Sequence, residues 1–235
     1  MTDVRTTVCV LMYGNFVGLA KRCLHPLFKL NKMGAIKLRL GLNEVSSETL
    51  DYIDTNGAPC LKYEANPQIY KYPMMHKMFN EPPVDTEFIM WFDDDSFVTE
   101  NVDLIGWLNR VESSMSNCDM LGSVYTIPYT SNQKEWCKTQ PWYTGKNLKD
   151  KPAFATGGWW TIRTEVVKKF NWPISQLKHC GGDVALGVLL DQNNLRLKSF
   201  KQGVAINADE NGKESASPRR GASNTEKPIG KNFSP

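Results

Sequence analysis

The sequence predicts an α/β fold: a mixed, mainly parallel sheet flanked by helices. Three observations carry that expectation. Short apolar, β-rich runs alternate with segments whose apolar residues recur at helical spacing, from residue 6 to about residue 200. Alternation of this kind builds a parallel sheet with helices on both faces. The run "EFIMWF" (87–92) has almost no polar position on either side, as a central strand covered by two helical layers requires. Three consecutive aspartates, Asp93 to Asp95, then follow that run, at the strand end where open α/β sheets place their ligands.

The elements read in order as follows. "TTVCVLMYGN" (6–15) is a strand, and "FVGLAKRCLHPLFKL" (16–30) a helix. "AIKLRLGLN" (35–43) alternates Ile36, Leu38, Leu40 and Leu42 with Lys37, Arg39 and Gly41, a half-buried strand. "SSETLDYIDTNG" (46–57) offers Ser46 or Ser47 as a helix cap and a glycine past its end. "CLKYEA" (60–65) is a short strand and "YPMMHKMFNE" (72–81) a helix with Pro73 in its first turn. After the aspartates come a helix in "NVDLIGWLNRVESS" (101–114), a strand in "DMLGSVY" (119–125) and a long polar loop over 130–152. "GGWWTIRTEVVKKF" (157–170) gives a glycine pair, a short strand and a helix. "GGDVALGVLLDQNNLRLKSF" (181–200) gives a helix opening at Asp183, a turn at Asn193-Asn194 and a final strand pair.

With 235 residues, 41% of them hydrophobic, the chain fills one large domain, which we place at 1–210. Residues 211–235 form a polar, basic tail, flexible unless a ligand orders it. The tail's five basic and two acidic residues account for the whole net charge of +3, so the body is near neutral. That argues against a general nucleic-acid binder, which needs basic charge spread over one face. Six cysteines lie without CxxC or framework spacing, which predicts reduced thiols and neither a zinc site nor a disulfide scaffold. Nothing approaches the ~20 apolar residues of a membrane span, and the start has no long apolar leader core, so the expectation is a soluble, cytoplasmic protein.

Adjacent carboxylates repel unless a cation or donors hold them. In an extended chain Asp93 and Asp95 point one way and Asp94 the other. Two such carboxylates can anchor Mg²⁺ or Mn²⁺ and leave positions for phosphate oxygens and water. The plainer reading is a capping or turn cluster where a strand ends.

"WFDDDSFV" (91–98) resembles the DxD signature of nucleotide-sugar glycosyltransferases with the GT-A fold. "GGDVALGVLL" (181–190) resembles the acidic helix start of the inverting fringe and β-1,3-galactosyltransferase group, and "VCVLMYGNFVGLAKRCL" (8–24) the first β-α unit of family-two-type enzymes. The resemblance covers roughly residues 6–207, with its pieces in the family's order. It implies a metal-dependent inverting transferase that moves a sugar from a nucleotide diphosphate sugar, a UDP-sugar first among them, to an acceptor hydroxyl. Asp95 would be the principal metal ligand. Asp93 would contact the ribose or share the metal through water, and Asp94 is counted with the donor contacts. Asp183 would be the general base, against the plainer reading of a helix cap. Relatives often supply a histidine as third ligand; the histidines here are His25, His76 and His179, so Asp209, ahead of Asn207, is the substitute.

Tyr13, Gly14 and Asn43 finish the first two strands, where the family holds base and ribose. Asn43 reads equally well as a turn residue. Lys77, beside His76, is a candidate for base or phosphate, against a solvated helix face. Gly157 and Gly158 would let the donor sugar approach the backbone. Trp159 and Trp160 would pack on a sugar or simply be core. Trp136, Trp142 and Tyr143, in the polar loop, are acceptor-platform candidates for a sugar, a glycan or a hydroxylated nucleobase. Arg219 and Arg220 would fork onto the diphosphate, unless the tail is only solubilising. The rival readings are a non-catalytic carbohydrate-binding descendant of the fold and a haloacid-dehalogenase-type phosphatase. The phosphatase pattern wants Thr or Val where Phe97 stands.

Overall fold

The computed structural model describes residues 3–128, 130–175, 177–178, 181–209 and 211–214. The first half runs β1 (Thr6–Gly14), α1 (Val17–Lys32), β2 (Lys37–Val45), α2 (Ser47–Asn56), β3 (Leu61–Ala65), α3 (Lys71–Asn80) and β4 (Phe88–Asp93). A two-residue β5 (Phe97–Val98), α4 (Leu104–Ser114), β6 (Met120–Thr126) and α5 (Ser131–Lys138) follow. The chain continues through β7 (Ala153–Arg163), α6 (Thr164–Phe170), α7 (Gly182–Gln192), β8 (Leu197–Ser199) and β9 (Val204–Ala205).

Seven strands form one sheet in the order β3-β2-β1-β4-β7-β6-β8, and β5 pairs with β9 in a small second sheet. Within the large sheet β7 alone runs against its neighbours β4 and β6. The expected mixed, mainly parallel sheet is therefore present. From β1 the chain first builds outward through β2 and β3 and then returns to β1's other side with β4, which makes a switch point between β1 and β4. Ligand crevices open at the carboxyl ends of the strands there.

The core lies on both faces, and the strands show why. Val8, Val10 and Met12 of β1 with Phe88, Met90 and Phe92 of β4 face a layer made with α1 and α4. Cys9 and Leu11 with Ile89 and Trp91 face the other, made with α3 and α7. Successive side chains point to opposite faces, so an uninterrupted apolar run is what a strand covered on both sides needs. Each fully buried Phe or Leu contributes about 1.5–3 kcal/mol.

Three expectations change. The 130–152 segment is not all loop, because Thr130 and Gln133 form a reciprocal capping box that starts α5. The glycine pair lies inside an eleven-residue strand, β7, rather than ahead of a short one. The last two strands do not pair with each other: β8 joins β6, and β9 joins β5. At α2 the cap is Ser46, whose hydroxyl accepts from the Thr49 N–H at 3.4 Å.

Candidate active site

The chain does not stay extended through the aspartates. β4 ends at Asp93, and the Ser96 N–H donates to the Asp93 carbonyl at 3.0 Å, closing a turn over Asp94 and Asp95. The alternating register expected for the triplet is therefore corrected. The segment after β9 clasps this turn: Ala208 N–H donates to the Asp95 carbonyl at 2.7 Å, and Asn207 N–H to Ser96 Oγ at 3.3 Å. Asp94 and Asp95 are buried, 2% and 7% exposed, while Asp93 is half-buried. Their negative field reaches α1, where burial first, and then the charges of Asp94, Asp95 and Asp93, push the Cys23 thiol well up.

Gly158 explains how close the clasp can come. A Cβ there would stand 2.6 Å from Ser96 Oγ, 2.8 Å from Asn207 Oδ1 and 2.9 Å from Ile206. Gly158 is buried under the acidic turn and holds no open floor for a donor sugar, which corrects that expectation. Gly157 is different. It is half-buried, and a Cβ on it would meet Lys71 Nζ at 3.3 Å and Asp183 Oδ2 at 3.9 Å.

Those two contacts define the polar centre. Lys71 opens α3, and its ammonium lies 2.6 Å from Asp93 Oδ2, 2.9 Å from the Gly157 carbonyl and 5.6 Å from the Trp91 ring centre. Trp91 Nε1 donates to the other Asp93 oxygen at 2.9 Å. Both oxygens of Asp93 are thus engaged by the protein, one by a cation and one by an indole. Lys71 escaped the sequence reading, which singled out Lys77. Lys77 sits exposed in the last turn of α3, about 9 Å further along the axis from Lys71. The available signal was Pro73, which fixes the first turn of α3 and so makes Lys71 the residue at the sheet's carboxyl edge.

Asp183 lies in the first turn of α7, behind Gly181, which is the N-cap with φ of 82°. The helix opens one residue before Asp183, so the capping role read as its plainer alternative belongs to Gly181. Asp183 Oδ1 accepts from the Val184 N–H at 2.9 Å. Burial pushes its carboxyl up from the ordinary value. The Val184 hydrogen bond and the Lys71 charge pull it back, and the Asp93 charge pushes it up again. A half-buried carboxylate of raised proton affinity, with a cation across Gly157, has the character of a general base.

The second feature is a cleft of about 350 Å³ at the carboxyl ends of β1 and β2, lined by Tyr13, Gly14, Asn15, Phe16, Glu44, Val45, Ser46 and Gln68. Tyr13 and Gly14 fall where the sequence placed them. Gly14 has φ of 65°, and Tyr13 meets Phe16 edge-on at 5.8 Å between ring centres. Asn43 does not reach the cleft. It is buried, its amide donates to the Ile69 carbonyl, and its Oδ1 accepts from the Ile69 N–H at 2.8 Å. Both ends of the side chain clamp the entry to α3, which removes Asn43 from base recognition.

The aromatic platform is also corrected. Trp136 and Trp142 are 6% and 3% exposed and pack edge-on, and Trp159 is fully buried between the sheet and Phe200. Tyr143 is partly buried against the same core as Trp136. Trp136 and Trp142 belong to the core layer on one face of the sheet and Trp159 to the layer on the other. The exposed apolar side chains at this edge are Tyr125 and Ile127, at the carboxyl end of β6. Arg219 and Arg220 lie outside the described residues, as does His179.

Asp93, Asp95 and Asp209 do not make a three-carboxylate cage. Asp209 Oδ1 accepts from the Asn211 and Lys213 N–H groups, both at 2.9 Å, and so organises its own turn. Among the described residues no group of three His, Cys, Asp or Glu side chains could hold a metal. The chemistry of the acidic turn still fits a divalent cation held in part by a donor's phosphates. Asp94 and Asp95 concentrate carboxylates at one turn, and hard cations shared with a diphosphate need one or two protein carboxylates, not a cage.

No protein-family model matches the sequence, and no curated protein does. Solved structures do. The crystal structure of S. aureus TarS 1-349 superposes with a TM-score of 0.52 at 13% identity, covering 84% of this chain and 58% of that one. Mannosyltransferase PcManGT from Pyrobaculum calidifontis, in complex with GDP-Man and Mn²⁺, gives 0.55 at 10% identity over 83% of this chain and 54% of that one. HddC from Yersinia pseudotuberculosis gives 0.50 at 9% identity, covering 86% and 93%. The architecture is the GT-A fold of glycosyltransferases. The chain spans a little over half the length of the first two. Among the described residues no helix is long and apolar enough to cross a membrane, and Cys9, Cys23, Cys60, Cys118 and Cys137 are free thiols.

Proposed function

We propose that the protein is a metal-dependent, inverting glycosyltransferase that moves a sugar from a nucleotide diphosphate sugar to an acceptor hydroxyl. The observation that carries this reading is the convergence of Lys71, Asp93 and Asp183 around Gly157, beside the acidic turn and at the carboxyl edge of a GT-A sheet. Two of the similar structures hold GDP-Man with Mn²⁺ and, in another TarS 1-349 crystal, UDP-GlcNAc, which supports a nucleotide-sugar donor.

In this reading the nucleotide end of the donor lies in the cleft beside Tyr13 and Gly14, and the sugar lies over Gly157. Asp95, with Asp94 behind it, would hold Mn²⁺ or Mg²⁺, which when bound neutralises the diphosphate leaving group. Lys71 fixes Asp93 and the Gly157 carbonyl in one orientation, so the sugar meets a preorganised floor. The Asp183 carboxylate takes the proton of the acceptor hydroxyl as that oxygen bonds to the anomeric carbon and the bond to the diphosphate breaks. No protein nucleophile intervenes, so the configuration inverts. The exposed Tyr125 and Ile127 offer the acceptor an apolar edge at the same end of the sheet. Localisation in the cytoplasm accords with free thiols.

The experiment pairs a nucleotide-sugar panel with Asp183→Asn. The expected result is transfer with inverted anomeric configuration, lowered roughly 10²–10⁴-fold by Asp183→Asn with donor binding and melting temperature kept. Retained configuration, or an Asp183→Asn protein that transfers normally, refutes the inverting mechanism. Sugar binding indifferent to metal and without turnover would instead identify a carbohydrate-binding module.

A further inference from the structure

Helix α7 carries Asp183 in its first turn, and at two glycines neighbouring groups come into contact with its backbone. A Cβ on Gly187 would stand 2.3 Å from the Ala153 carbonyl oxygen and 2.6 Å from the Phe154 Cβ, so the helix rests directly on the first residues of β7. A Cβ on Gly182, the residue before Asp183, would stand 2.1 Å from Tyr72 Cζ, 2.3 Å from its hydroxyl oxygen and 2.6 Å from Cε2. No side chain fits at 182 while the phenol ring stays in place. The ring has little room to swing away: Tyr72 is buried and packs edge-on against the buried Trp172, with ring centres 6.3 Å apart. The Tyr72 N–H also donates to the Lys178 carbonyl at 2.9 Å, which ties the start of α3 to the approach to α7.

Tyr72 follows Lys71 in the first turn of α3. Neighbours on a helix point about 100° apart, so a single turn reaches two sides of the polar centre. Lys71 sends its ammonium to Asp93 and the Gly157 carbonyl, and Tyr72 lays its ring on Gly182. Helix α7 is thus held at two points about 7.5 Å apart along its axis. One point refers it to β7, which also carries Gly157, and the other to α3, which carries Lys71. The Asp183 carboxylate accepts from the Val184 N–H of the same turn, so it moves with the start of the helix.

We propose that Tyr72 is a positioning residue for Asp183: its ring on Gly182 sets where the carboxylate stands relative to Lys71 and Gly157, and it acts through the helix without touching donor or acceptor. This rests on the reading of Asp183 as general base. A displacement of about 1 Å at a reacting group costs about 10²-fold in rate, so a contact that holds the backbone beside the base governs turnover.

The test is a size exchange across the contact, with kcat and donor KM read separately in the nucleotide-sugar transfer assay and melting temperature measured alongside. Gly182→Ala sets a methyl where the ring stands and is expected to lower kcat about 10²-fold. Donor KM is expected to hold, because the nucleotide cleft lies at the ends of β1 and β2. Tyr72→Leu removes the atoms that a Cβ at 182 meets, and is expected to lower kcat about 10-fold at temperatures where the protein is fully folded. Tyr72→Phe keeps the ring and is expected to transfer close to the wild-type rate. Gly182→Ala combined with Tyr72→Leu is expected to transfer about 10-fold faster than Gly182→Ala alone, as coupled neighbours do. Leu27→Ala, in the opposite core layer, is expected to lose stability but not kcat. A folded Tyr72→Leu protein with wild-type kcat, a double variant no faster than Gly182→Ala, or an equal kcat loss in Leu27→Ala overturns the positioning role. Should Gly182→Ala fail to fold, the contrast between Tyr72→Leu and Tyr72→Phe decides, and equal kcat in those two overturns the role. Normal transfer by Asp183→Asn removes the base reading and this inference with it, whereas normal transfer by Tyr72→Leu beside a damaged Asp183→Asn sinks only the role of Tyr72.

Discussion

Lys71→Met removes one charge from the polar centre and keeps most of the stem that lies against Trp91. In the wild type the ammonium is 2.6 Å from Asp93 Oδ2 and 2.9 Å from the Gly157 carbonyl, and the two side chains are 11% and 25% exposed. A hydrogen bond to a charged group contributes about 1.5–3 kcal/mol, and a partly desolvated cation over an indole about 0.5–1 kcal/mol. Breaking a wholly buried pair costs about 3–5 kcal/mol. Asp93 keeps the Trp91 N–H and some access to water, so the cost falls below that range, at roughly 2–3 kcal/mol. For a chain of this size that is a fall in melting temperature of about 4–12 °C. Urea denaturation measures the free energy, and Lys71→Met, Asp93→Asn and the double variant form a cycle in which the double variant is less damaged than the sum. A loss under about 0.5 kcal/mol, or singles that add within that margin, refutes the reasoning. The pH profile of transfer gives an independent readout. In the proposed mechanism Asp183 is a base only when ionised, so activity is expected to disappear as pH falls through its raised pKa. The Lys71 charge holds that pKa down, so Lys71→Met moves the acid limb to higher pH. An unmoved limb would mean that Lys71 does not face the base.

The two glycines are expected to separate. Gly158→Ala sets a methyl 2.6–2.9 Å from Ser96, Asn207 and Ile206 and costs about 1–3 kcal/mol of stability, whereas Gly157→Ala is crowded only by the Lys71 ammonium, at 3.3 Å, which gives way by a few tenths of an ångström with its ion pair kept, so this variant melts nearer the wild type but transfers less; thermal melts and a transfer assay read both, and equal melting points refute the assignment. Asp95→Ala is expected to abolish metal-dependent nucleotide binding by calorimetry with the fold kept. Asp209→Ala, which only releases the Asn211 and Lys213 N–H groups, is expected to weaken it little, and the opposite ranking would return Asp209 to the metal.

Periodicity in the sequence determined the layers. Val8 to Met12 and Phe88 to Phe92 are apolar at every position, and such a segment is stable only with both faces covered, so the sheet, its helices and the carboxyl edge bearing Asp93 to Asp95 were legible from residue order alone. The placements of Tyr13, Gly14 and Asp183 were legible for the same reason, since each ends or begins an element at that edge, whereas Gly157 proved to lie inside β7. Local pattern could not say which polar atoms would be consumed by distant partners. Lys71 reaches Asp93 across 22 positions, and Asn43 reaches Ile69 across 26, and neither approach exists until the strands pair and α3 docks. The tryptophans of the 130–152 segment read as exposed because their neighbours are polar, yet tertiary packing buried them, since an indole gains more from the core than a surface helix loses by covering it. Glu44 left only a faint trace, two polar residues in succession where β2's alternation breaks. The bulge appeared only once pairing with β1 left one of the two without a partner across the ladder. Burial patterns are written along the chain, but a site is made of the atoms that burial leaves unpaired, and those are decided in three dimensions.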